Sequence, residues 1–85
     1  MREPIRVFFT MVRKPCGEVV RVGKPFRSKT VANDWKSFVK GAWNGCRVTV
    51  RSLLVTFDEG GGVTEKSRRR LDREFNCDVS VLSSG

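Results

Sequence analysis

Eighty-five residues fall within the size of one domain and are too few for two independently packed halves, so positions 1–85 are expected to form a single small domain. A hydrophobic fraction of 39% argues against intrinsic disorder, while no stretch approaches the roughly 20 apolar residues of a membrane span or has the make-up of a secretory leader, so a cytoplasmic location is expected. The net charge of +8 directs attention to phosphate backbones, anionic membranes or acidic proteins as partners.

Residues 5–13 alternate with period two, with Ile5, Val7, Phe9 and Met11 on one face and Arg6, Phe8, Thr10 and Val12 on the other, the pattern of a strand. Lys14-Pro15-Cys16-Gly17 has turn chemistry, and Glu18 to Val22 resumes an extended pattern, which together predict a β-hairpin. Gly23-Lys24-Pro25 stops that strand, and Ser28 or Thr30 is placed to cap a helix over residues 29–43. On a 3.6-residue repeat Val31, Trp35, Phe38, Val39 and Ala42 share an apolar arc, opposite Lys29, Asn33, Lys36 and Lys40. Phe38 is therefore expected in the core, and Asn44-Gly45 is expected to end the helix.

From Cys46 to Phe57 the chain is again extended, but its apolar parity changes: Cys46, Val48 and Val50 are followed by Leu53, Val55 and Phe57. A β-bulge near Arg51-Ser52 would return all of them to one face. Residues 58–62, Asp-Glu-Gly-Gly-Gly, predict a flexible loop, and Thr64 a cap for a second helix reaching about Phe75. That helix has a thin apolar face, Leu71 and Phe75, and is expected at the periphery, with Asn76 as its C-cap. Cys77, Val79 and Val81 alternate as a short last strand, and residues 83–85 are expected to fray. The predicted class is α+β in the order β-β-α-β-α-β, with a mostly antiparallel sheet of three to four strands and the main helix packed on one face.

Catalysis and metal binding find little to work with. The chain has no His and no Tyr, and no Ser lies in a nucleophile-elbow pattern. Carboxylate pairs such as Asp72 with Asp78, or Glu65 with Asp72, lie among arginines that keep them ionised. Cys16, Cys46 and Cys77 are widely separated, without the paired spacing that presents two thiolates to one metal, and are expected as reduced thiols. The glycine run at 60–62 lacks both the oxygen ligands of a calcium loop and the Lys-Ser/Thr pair of a phosphate loop. Neither an enzyme, a cofactor nor a metal site is expected.

The positive charge is more informative. If the main helix covers the face of Ile5, Val7 and Phe9, the opposite face collects Arg6, Phe8, Thr10, Arg21, Arg47, Thr49 and Arg51, with arginines for phosphates and a ring for base stacking. On the second helix Lys66, Arg69, Arg70 and Arg73 form one stripe, although Glu65, Asp72 and Glu74 flank it and weaken its field. Trp43 lies at the margin of the first helix's apolar arc beside Lys36 and Lys40, and is a candidate contact for a partner. These residues lead to one expectation, a small non-catalytic accessory protein that binds DNA or RNA mainly through phosphates. The alternative is a protein-interaction or regulatory module with an acidic partner. A continuous basic surface from the sheet arginines to the second helix favours the former, and an exposed apolar patch the latter.

Overall fold

A computed structural model describes residues 2–78. Three strands form an antiparallel sheet in the order β2-β1-β3: β1 is Ile5–Arg13, β2 Val19–Arg21 and β3 Arg47–Val55. Helix α1, Lys29–Ala42, joins β2 to β3, and helix α2, Glu65–Phe75, follows β3. An α+β class accounts for this arrangement. Most of the fourth strand expected from sequence, Val79 and Val81 included, lies outside the described residues.

Hairpin chemistry sets β1 against β2: the Lys14 amide donates to the Glu18 carbonyl, and Gly17 adopts φ +96°, open to glycine and strained for other residues. Both β2 and β3 pair with β1, so β1 is the central strand. Its residues Phe9, Thr10, Met11 and Val12 are all buried, because a central strand with cover on both faces has no solvent side.

The register corrects the expected bulge. Ile5 pairs with Val55 and Arg13 with Arg47, with every residue between them matched one to one. An unbroken register means that Val48 and Leu53, which differ in parity, point to opposite faces of the sheet. Two separate cores explain why both are apolar. One unites Val7, Phe9, Met11, Leu53 and Val55 with Leu71, Phe75 and Cys77; the other unites Val12 and Val48 with Val39, with Val20, Trp35 and Trp43 packed against it. Helix α2 thus covers the face of Ile5, Val7 and Phe9, and α1 covers the reverse face. The condition under which the main helix would cover the face of Ile5, Val7 and Phe9 is therefore not met, and Leu71 and Phe75 of α2 are the residues that close that face.

The α2 helix compensates for its thin apolar face with specific anchors at both ends. Thr64 caps it by accepting from the Ser67 amide, and the buried Ser67 hydroxyl accepts from the Thr56 amide just beyond β3 at 3.0 Å. At the other end Asn76 is left-handed, φ 46° and ψ 48°, its N–H directed to the Asp72 and Leu71 carbonyls. Between these ends Phe75 stacks on Phe9, with ring centroids 4.1 Å apart.

Helix α1, capped by Ser28, is rotated from the orientation its apolar arc predicts. Ala32 and Val39 are buried and Trp35, Lys36 and Trp43 half-buried, whereas Phe38 is 66% exposed and Val31 46%. The expectation of Phe38 in the core is corrected. Trp35 fixes the rotation: its indole N–H donates to the Val22 carbonyl at 3.0 Å, and its ring lies where a Cβ on Gly23 would come within 2.6 Å of Nε1. With Trp35 held on the β2 side, Phe38 lies against its outer face, with centroids 5.2 Å apart.

Candidate nucleic-acid interface

The two helices are offset along the strands as well as lying on opposite faces. α2 packs where Val7 pairs with Leu53, whereas α1 packs nearer the hairpin end, where Val12 pairs with Val48. On the α2 face, the hairpin end is therefore left open. By register, Arg13, Val19, Arg47, Thr49 and Arg51 lie on that face, and together with Met11 they line one shallow depression. Arg13, Arg47 and Thr49 are exposed.

A second depression adjoins the first through Met11 and Val19 and reaches Arg21, Arg73 and Glu74. A third continues over Arg73 and Glu74 to Lys66, Arg69 and Arg70. The sheet arginines thus meet the α2 stripe along one basic surface, about the C-terminal end of α2.

Not all of that charge is available. Glu74 binds two guanidinium groups, Arg51 Nη2 at 3.0 Å and Arg70 Nε at 2.7 Å, and so ties α2 to β3. The hydrogen bond from Arg70 is the main reason its carboxyl lies below the usual glutamate range, with the charge of Arg51 adding to the effect. Arg51 also lies over the Phe75 ring, with Cζ 5.1 Å from the centroid. Arg69 pairs with Glu65 one turn away, a largely exposed contact of little energetic weight. Arg13, Arg47, Arg73 and Lys66 make no salt bridge among the described residues.

Arg21 serves the fold. Its Nε donates to the Phe75 carbonyl at 3.1 Å, and its terminal nitrogens to the carbonyls of Gly23 and Asn76. A cation among the carbonyls that end α2 satisfies groups left unpaired there and complements the negative end of the helix.

Other sequence candidates lie elsewhere. Arg6 and Phe8 point to the α1 face, away from Arg21, Arg47 and Arg51, so the single face expected to hold all five is corrected. The even-numbered residues of β1 cannot share a face with odd-numbered residues of β3 when each pair of register partners sums in step without a bulge. Arg6 donates to the Ser52 hydroxyl at 3.3 Å, and Phe8 is half-buried with its backbone bridged to Phe26. Thr10, expected on the open face, is buried at 1% exposure. Trp43 is half-buried against the Val12, Val39 and Val48 core, with Lys36 half-buried and Lys40 exposed on the same helix. Sequence reasoning missed Arg13, whose charge and place at the strand end were visible but whose face could be assigned only once the cover of each face was known.

No helix of the described residues is long and apolar enough to cross a membrane, and no group of three or more His, Cys, Asp or Glu among them could hold a metal ion. No protein-family model, curated protein or solved structure matches the chain.

Proposed function

We propose that this protein is a small, non-catalytic nucleic-acid-binding accessory protein that holds its ligand mainly by phosphate contacts. The observation that carries this reading is the continuity of the basic surface, from Arg13 and Arg47 on the open end of the sheet to Arg73 and the α2 stripe. Guanidinium groups bind phosphate oxygens through paired N–H donors, and the exposed Thr49 hydroxyl adds a further hydrogen-bonding group. Arg51 and Arg70, braced by Glu74, form the margin of this surface; Lys66 and Arg69 extend it along the helix.

Fluorescence anisotropy with labelled DNA and RNA oligonucleotides at two salt concentrations tests the proposal. Binding should weaken steeply with salt, and Arg13→Ala, Arg47→Ala and Arg73→Ala should each reduce the logarithmic salt slope by about 0.7–0.9. Arg27→Ala and Lys29→Ala, which remove exposed charges outside this surface, serve as controls and should change it little. Absence of binding at low salt, from protein with an intact circular dichroism spectrum, would reject the reading.

One observation favours a second reading. Val31, Trp35 and Phe38 form an apolar stripe on the flank of α1, with Phe38 66% exposed. Such a stripe suits a protein partner better than a phosphate backbone.

A further inference from the structure

We propose that the basic surface at the end of α2 takes base-paired nucleic acid, gripped by its phosphate rails, in preference to an unpaired strand. The inference rests on the phosphate-binding reading above and asks which form of nucleic acid that surface suits.

The first argument is what the surface lacks. Proteins that hold unpaired strands combine a basic groove with exposed aromatic rings on which successive bases stack. Here the rings beneath the basic surface are closed off: Phe9 is 0% exposed and Phe75 1%, the two stacked on each other beneath Arg51. Phe8, whose ring could have served, points to the reverse face. With no exposed ring among the residues that line the surface, the groups on it that bind nucleic acid are guanidinium, ammonium and hydroxyl, which contact a sugar-phosphate backbone with its bases turned inward.

The second argument is rigidity. Arg47 and Arg51 stand four residues apart on one face of β3, a span of about 13 Å at the usual strand rise. The major groove of B-form DNA is about 12 Å wide, a comparable distance. Glu74 braces Arg51 and Arg70 in place, and Arg73 belongs to a helix pinned at both ends. Cations carried on a sheet and a pinned helix keep a set spacing of their backbone positions and suit a stiff array of phosphates, whereas an unpaired strand must be ordered to match them. The duplex also has the denser charge, so each cation releases more condensed counterion, about 0.9 per contact against about 0.7 for a single strand. Counting Arg13, Arg47 and Arg73, the arginines of this surface that Glu74 and Glu65 do not take up, and starting from equal binding at 1 M salt, that difference amounts to roughly fourfold in affinity near 0.1 M salt.

The test compares one sequence as single-stranded DNA, single-stranded RNA, duplex DNA and duplex RNA, titrated at equal length near 0.1 M salt. The expected result is roughly fourfold tighter binding to at least one duplex than to either strand alone, with the advantage reduced in Arg47→Ala and Arg73→Ala and unchanged in Phe8→Leu. The DNA and RNA duplexes reveal which helical form fits. Equal or tighter binding of the single strands overturns this inference and leaves phosphate recognition standing. Failure to bind all four overturns both.

Discussion

Two phenylalanines on the two helices provide a sharp test of how this fold is held. Phe75 on α2 is 1% exposed and stacks on Phe9 at 4.1 Å. Removing its ring forfeits about 2–3 kcal/mol of burial and about 0.5–1.5 kcal/mol of aromatic pairing, and leaves a cavity, so Phe75→Ala should cost about 3–5 kcal/mol. A domain of this length has only about 4–13 kcal/mol of stability, so the variant should be marginal, and the milder Phe75→Leu, at about 1–1.5 kcal/mol, keeps the measurement within range. Phe38 on α1 is 66% exposed, so only about a third of its burial energy, under about 1 kcal/mol, is at stake. Alanine recovers about 0.5 kcal/mol in helix propensity, and Phe38→Ala should change stability by less than about 1 kcal/mol. Urea unfolding followed by circular dichroism measures both. A cost above about 2 kcal/mol for Phe38→Ala, or below about 1 kcal/mol for Phe75→Ala, would refute the assignment of the two helix faces.

Two further predictions concern buried polar groups. Thr10 is 1% exposed and its hydroxyl has no hydrogen-bond partner among the described residues; Thr10→Val should therefore raise stability by roughly 1 kcal/mol, and a loss of similar size in the same urea assay would mean that the hydroxyl is satisfied. The thiols should react with an aromatic disulfide reagent in order of exposure, Cys16 first and Cys46 next; Cys77, buried and with its thiol pKa pushed up by that burial, should react only on unfolding, and labelling of Cys77 at the rate of Cys16 would contradict its place in the core.

Local chemistry in the sequence was enough to place the hairpin turn, the Thr64 cap and the Asn76 C-cap, and to narrow the cap of α1 to Ser28 or Thr30, of which the structure uses Ser28, because a cap or turn depends on a few adjacent residues. It was also enough to identify the basic stripe on α2. What it could not decide was which side of the sheet each helix covers. A strand's alternation reports that two faces exist without saying which helix packs on either, and β3 changes parity because its two halves serve cores on opposite faces. The same ambiguity governed α1. Val31, Trp35 and Phe38 share a stripe with high apolar content, yet the indole bond from Trp35 to Val22 and the space above Gly23 turn that stripe to the helix flank, leaving Ala32 and Val39 inward.

Charge itself is a property of the sequence, and the total of +8 was legible from the start. Its availability is tertiary. Arg21 became the C-terminal anchor of α2 and Arg51 a partner of Glu74 only because the chain brought residues more than 20 positions apart into contact. Arg13 and Arg47 joined Arg73 only because α2 stops short of the hairpin end of the sheet. Residue types and local spacing determine which elements form and how much charge they carry; the offset of two helices on opposite faces decides which charges the fold consumes and which it leaves facing solvent.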